Sequence, residues 1–233
     1  MTRQGGHWSP PQFTMVGGGT FPARHVWCVG RNYAEHAREM GADPQAGSPV
    51  FFSKPATALI NSDVVNYPAD TESLHHEVEL VVFLGQGGCN LDAGECIERI
   101  LGYAVGVDLT RRDVQAKAKQ AGHPWEMSKG FDQSAPIGAI MSAEHWAPSD
   151  ESLIELQVNG MVRQQAVLGD MIWSVGELMA RLSHEVTLYP GDVLFTGTPA
   201  GVDALQIGDR VMARIGGLPD LVFGVRQSTG VNG

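Results

Sequence analysis

Glu77 and Glu79 stand two residues apart in the stretch Leu74-His75-His76-Glu77-Val78-Glu79-Leu80, at the head of an apolar run that continues to Leu84. Read as a β-strand, the stretch puts His75, Glu77 and Glu79 on one face and His76, Val78, Leu80 and Val82 on the other. Same-face positions lie about 7 Å apart along a strand, so two carboxylates there repel unless a positive charge sits between them. A divalent cation is the simplest neutraliser. Oxygen-only donors favour Mg²⁺ or Mn²⁺, with Ca²⁺ as a substitute in a crystal, because zinc ordinarily recruits Cys or His. The strand alone is equally compatible with a solvated edge whose glutamates face water.

Other residues with chemical potential are scattered along the chain. Asp108 lies close to the end of an apolar, small-residue stretch over 100–110, where mixed sheets commonly place site chemistry. It would supply a third carboxylate, or serve as a cap or turn residue. Thr110 reads as the N-cap of a helix over 111–121, with Asp113 as its capping-box partner and Gly122 as its terminator. Arg112 and Gln115 then share a face. Lys129 falls in residues 123–138, too rich in Gly, Pro and polar residues for a regular element, where it is a solvated charge or an anchor for developing negative charge. Lys54 ends a strand over 50–54, before Pro55. It either meets an acidic substrate or caps a surface turn.

His36 and Glu39 are i and i+3 in a helical stretch over 32–40, with Gly41 placed to close it, so they can hydrogen-bond. So short a helix is marginal without support. It is a candidate lid or an ordinary amphipathic surface turn. In Thr196-Gly197-Thr198-Pro199-Ala200-Gly201, glycines let backbone N–H groups and Thr198 approach a carboxylate closely, unless the segment is a plain tight turn.

The elements that must position these residues are mostly short strands. Strands are expected over 25–29, 50–54, 61–68, 74–84, 100–110, 210–215 and 221–225, with a turn entering a strand over 188–195 and helices over 92–99 and 173–182. Asn159-Gly160 between 153–158 and 161–166 fits a type I′ hairpin turn. With 29 glycines and 13 prolines between short apolar runs, the class is sheet-rich α+β. Residues 1–24 read as a polar, turn-rich arm packed on the surface or on a partner subunit. At 233 residues and 43% hydrophobic, the remainder suffices for one core.

The formal net charge of -10 disfavours nucleic acid and anionic membrane surfaces as partners. No apolar run reaches membrane-spanning length and the N-terminus lacks a signal peptide's apolar core, so a cytoplasmic protein is expected. Cys28, Cys89 and Cys96 show no C-x-x-C spacing and are expected as buried free thiols.

Five ordered stretches resemble the successive motifs of the fumarylacetoacetate hydrolase family. They are Cys28-Val29-Gly30-Arg31-Asn32-Tyr33-Ala34-Glu35-His36, His75-His76-Glu77-Val78-Glu79-Leu80, Gly106-Val107-Asp108-Leu109-Thr110-Arg111-Arg112-Asp113-Val114-Gln115, Lys129-Gly130-Phe131-Asp132 and Thr196-Gly197-Thr198-Pro199-Ala200-Gly201. The similarity is greatest to short members acting on acylpyruvates, such as bacterial fumarylpyruvate hydrolases of gentisate breakdown. Gly130 departs from the Ala or Ser expected after the lysine.

The resemblance implies a mixed β-sandwich roll with short peripheral helices, a single catalytic domain over 25–233 and a homodimer. It implies one Mg²⁺ or Mn²⁺ held by Glu77, Glu79 and Asp108, and a water-activating dyad of His36 and Glu39. Lys129, Gln115 and Thr198 would hold substrate oxygens, helped by Arg31, Lys54 and Arg112. The implied substrate is a 2,4-dioxo acid, cleaved by water at C4 with release of pyruvate. Oxaloacetate decarboxylation, or a related hydratase or isomerase reaction, stands as the alternative enzyme. A catalytically silent metal-binding protein is the alternative outside enzymes.

Overall fold

In the computed structural model, which describes residues 9–39, 41 and 47–228, the glutamate-bearing run is a central strand. Val78–Leu84 is buried at every position. It lies between Ile100–Val107 and Asp192–Phe195 in a six-stranded sheet. The order is Met141–Ser142, Ile100–Val107, Val78–Leu84, Asp192–Phe195, His25–Gly30 and Val50–Lys54, mixed because Asp192–Phe195 runs parallel to His25–Gly30. The edge-strand alternative is therefore excluded.

A second, five-stranded sheet runs Met161–Val167, Leu153–Val158, Arg210–Ile215, Leu221–Gln227 and Val64–Tyr67. Val78, Leu80 and Val82 of the first sheet share one core with Ile154, Leu156, Val211, Ile215 and Phe223 of the second. Burying each such side chain contributes about 1.5–3 kcal/mol. On the opposite face, Val81 and Phe83 pack with Val26, Phe195 and Ile137. Glu79 belongs to this second face by alternation, away from the inter-sheet core. The result is the sheet-rich α+β sandwich that was expected, with short helices at its periphery.

The expected arm is outside the described residues over 1–8. Residues 9–24 carry a hairpin of Gln12–Thr14 and Thr20–Pro22. Its Phe13 and Phe21 are buried in the second core, with the Phe21 and Phe83 rings edge to face at 5.1 Å. The Asn159-Gly160 turn forms as read, with φ of 53° and 78°. The helix near the N-terminus is Ala34–Glu39, and Met40 lies outside the described residues. Gly41 donates its N–H back to Arg38 at 2.9 Å with φ of 71°.

Three local expectations fail. Thr110 is not a helix cap: Thr110–Arg111 pairs as a short strand with Leu74–His75, and the helix Arg112–Ala121 starts without a side-chain cap. Asp113 instead accepts from Thr71 and from Glu72 N–H, tying the helix to the preceding loop. Residues 123–138 do contain regular structure, the helix Glu126–Lys129 and the strand Ala135–Pro136. Cys28 and Cys96 are buried free thiols, whereas Cys89 is exposed. Among the described residues no helix is long and apolar enough to cross a membrane.

Candidate active site

The ladder breaks at His76 and Glu77, between Leu74–His75 and Val78–Leu84. The break lets Asp108 N–H donate to Glu77 C=O at 2.8 Å, bringing the end of the neighbouring strand onto the glutamate pair. Glu77, Glu79 and Asp108 each offer an oxygen, and these oxygens lie within 4.8 Å of one another. All three residues are buried.

Cations compensate this charge unevenly. Lys129 Nζ lies 2.8 Å from Glu77 Oε2 and 2.7 Å from Asp108 Oδ2. Arg112 pairs with the other Glu77 oxygen, and its remaining arm donates to Gln115 Oε1 at 2.7 Å. Glu79 forms no ion pair with a described residue; its Oε2 accepts only Gly197 N–H, at 2.6 Å. Burial raises the pKa of Glu77, but Lys129 and Arg112 more than reverse this and hold it well below the carboxylate range. Burial, then the Asp108 and Glu77 charges, push Glu79 well above that range. Burial lowers Lys129, and Asp108 and Glu77 lift it above the ordinary lysine value. A buried carboxylate without a cation, in a cluster of hard oxygen donors, is the arrangement a divalent ion completes. Gly197 is required here: its φ is 95°, and a Cβ would lie 2.7 Å from Asn32 Cβ.

Lys54 is not at the mouth of the site. Its ammonium, 1% exposed, donates to the carbonyls of Leu109 and Ser134, each at 3.1 Å, and of Lys129. With three protons committed to three carbonyls, it faces Asp108 Oδ1 at 2.8 Å as a charge contact without an aligned proton. It supports the cluster from behind and does not reach the cavity, so the expected substrate contact is replaced by a structural one. A Cβ on Gly130 would lie 3.1 Å from both Glu126 O and Pro55 Cδ, so this position is tight against the Lys54 turn.

In front of the cluster opens a cavity lined by Arg31, His36, Phe52, Glu77, Glu79, Arg112, Gln115, Lys119, Trp125, Lys129 and Thr198. His36 Nδ1 faces Glu39 Oε2 at 3.2 Å, as the i, i+3 spacing predicts. Gly201 N–H donates to the other Glu39 oxygen at 3.3 Å, so the 196–201 loop steadies the pair. The structure thus brings eight of the eleven sequence-derived candidates to the wall of one cavity; Glu39 and Asp108 pair with His36 and Lys129, which line it, and Lys54 lies behind.

Two positioning residues carry no signal in the sequence. Gln164, in the strand Met161–Val167, is fully buried. Its Nε2 donates to Thr198 Oγ1 and Pro199 O, both at 2.8 Å, while its Oε1 accepts from Val78 N–H. This leaves the Thr198 hydroxyl proton free to donate. Asn32 bridges Trp173 and Thr196 backbone groups and so fixes the loop that carries Gly197. Alternation along a hairpin or a helix start cannot reveal partners 34 to 164 residues distant.

The model for the fumarylacetoacetate (FAA) hydrolase C-terminal domain matches residues 25–226. The oxaloacetate tautomerase YcgM of Escherichia coli is 44% identical over 200 residues, covering 84% of this chain and 90% of that one. The mitochondrial oxaloacetate tautomerase FAHD1 of Arabidopsis thaliana is 41% identical over 204 residues, covering 87% and 91%. The crystal structure of fumarylpyruvate hydrolase from Pseudomonas aeruginosa, in complex with Mn²⁺ and pyruvate, superposes with a TM-score of 0.94 at 43% identity, covering 97% of this chain and all of that one. The order of the motifs, the sandwich and these likenesses agree: the chain belongs to the fumarylacetoacetate hydrolase family.

Proposed function

We propose that the chain hydrolyses the C3–C4 bond of an acylpyruvate, with fumarylpyruvate, giving fumarate and pyruvate, as the preferred substrate. The observation that carries this reading is the placement of His36, partnered by Glu39, on the same cavity as Glu77 and Glu79, whose cluster Asp108 completes. Glu77, Glu79 and Asp108 would hold Mg²⁺ or Mn²⁺, which when bound supplies Lewis-acid polarisation of the 2-oxo acid end.

The side chains then divide the work. Gln115 and the Thr198 hydroxyl orient substrate oxygens, with Arg112 holding both Gln115 and Glu77 in place. Glu39 fixes the His36 ring through Nδ1, leaving Nε2 to take a proton from the attacking water. As the C3–C4 bond breaks, C4 keeps the water oxygen as the acyl carboxyl group and His36 returns the proton to C3, giving pyruvate. The Lys129 ammonium, already protonated between two carboxylates, meets the negative charge that appears on the departing pyruvyl fragment.

A second reading, oxaloacetate tautomerisation, is favoured by the curated relatives of this chain at 41% and 44% identity. It needs proton transfer at C3 and no hydrolytic water. Incubation with acylpyruvates and with oxaloacetate in the presence of Mn²⁺ separates the two. Pyruvate release from acylpyruvates, lost in His36→Ala, supports hydrolysis. Accelerated keto–enol exchange of oxaloacetate with no acylpyruvate cleavage replaces it by the second reading.

A further inference from the structure

Two cations on the cavity wall have no carboxylate to answer. Arg31 and Lys119 both line the cavity that holds the carboxylate cluster. Neither forms a salt bridge with any described residue, in contrast to Lys129 and Arg112 on the floor. Trp125 lines the same cavity. Lys119 Nζ lies over Trp125 at 5.2 Å from the ring centre, and a Cβ on Gly30, next to Arg31, would lie 3.8 Å from Trp125 Cζ3. The ordinary value of Lys119 is lowered by burial and then by the Arg112 and Arg31 charges, which places these cations within reach of one another's fields.

Arg31 is also held in the left-handed region, with φ of 66°. A non-glycine residue persists there only where its surroundings over-determine it, and such positions concentrate at sites. An arginine in the left-handed region and a lysine over the indole, neither ion-paired with a described residue, on a chain with a net charge of -10, form a local exception to the prevailing negative field.

We infer that Arg31 and Lys119, backed by Trp125, form an anion subsite that takes the distal carboxylate of a dicarboxylic acylpyruvate. The inference rests on the proposed function for the placing of the 2-oxo acid end at the carboxylate cluster. It goes further in assigning the far end of the substrate to named residues. The acyl arm crosses the cavity past Phe52 and Trp125, whose rings suit an unsaturated chain, and its terminal carboxylate receives charge-assisted hydrogen bonds at the rim.

The test is a binding measurement that needs no turnover. The full-length protein with Mn²⁺ is titrated calorimetrically with 2-oxoadipate and with 2-oxohexanoate, equal in length and different only in the distal carboxylate. Neither can undergo the 2,4-dioxo cleavage. The wild type is expected to prefer 2-oxoadipate by about 10–100-fold, the worth of one good charge-assisted hydrogen bond. Lys119→Met and Arg31→Gln should each shrink the preference towards parity, Arg31→Lys should restore part of it, and Lys117→Met, on the same helix, should leave it in place.

A wild type that binds both acids equally, or a preference that persists in Lys119→Met and Arg31→Gln, overturns the subsite. So does an equal loss in Lys117→Met, which would reduce the effect to overall charge. Failure of the hydrolase reading looks different: no acylpyruvate releases pyruvate, while the preference for 2-oxoadipate stays.

Discussion

The floor and the rim of this cavity are built on opposite terms. The floor, with Glu77, Glu79, Asp108, Lys54 and Lys129, hangs on a central strand with neighbours on both sides and on ammonium groups that join several chain segments. The rim carries His36 on a helix of six residues, and the side chain of its partner Glu39 is 37% exposed. Ion-binding groups in a low dielectric must be fixed before the ion arrives, because each misplaced charge is expensive. A proton-transfer group beside water needs only a partner and a tether, and low local stability there leaves room for substrate entry.

Lys54→Met should have the largest effect. It strands three buried carbonyls and one side of Asp108, and removing one member of a buried charge pair costs about 3–5 kcal/mol. Urea unfolding should show the loss, together with loss of Mn²⁺ binding. An unchanged midpoint would mean that the floor is not held by this lysine.

His36→Ala should separate the two regions. Turnover is expected to fall by about 10²–10⁴-fold, the usual contribution of a general base, while Mn²⁺ affinity and the unfolding midpoint stay near wild type. A parallel loss of Mn²⁺ affinity would erase the distinction between rim and floor.

The electrostatics of the floor predict a proton count. Glu79, its pKa raised well above the carboxylate range by burial and by two neighbouring carboxylates, holds a proton to higher pH than a free carboxylate when no metal is bound. Metal binding must displace that proton, so apparent affinity should rise with pH, by up to about tenfold per unit for one proton. Calorimetry of Mn²⁺ binding in buffers of different ionisation enthalpy reads the released proton, and its absence would contradict the protonated Glu79.

The smallest effect lies away from both regions. Burial holds His25 below its ordinary value of 6.5, outweighing the opposite influence of Asp192. The unfolded chain then binds the proton more readily, so stability is intact above pH 6.5 and falls as the pH drops through it. His25→Gln should remove only part of the dip, because burial also holds His75, at about 4, and His76 below 6.5; an unchanged dip would remove His25 from the account.

Much of the site was legible because its chemistry follows local periods. The two-residue spacing of Glu77 and Glu79 was legible directly, although Glu77 sits in the break before the strand and not on it, and the His36–Glu39 and Arg112–Gln115 contacts need only i, i+3 spacing. The Asn159-Gly160 turn follows from backbone preferences of those two residues. Where local rules competed with distant partners, the partners prevailed. Thr110 has a good capping side chain, yet pairing with His75 drew it into a strand and its hydroxyl to Glu77, 3.3 Å away. The composition of 123–138 suggests a loop, yet burial of Lys129 between two carboxylates accompanies a helical turn over Glu126–Lys129.

The sequence by itself determined which carboxylates are available, which of them stand two residues apart, and which histidine has an acid one turn away, since each depends on the chain over a few residues. Tertiary structure alone decided that Asp108 joins the glutamates, that Lys54 lies behind the site instead of at its mouth, and that Gln164 and Asn32 hold its loops. Those outcomes arise from contacts between segments far apart in the sequence, 34 residues for Gln164–Thr198 and 164 for Asn32–Thr196, where charge pairing and burial in the assembled sandwich, and no local preference, set the energy.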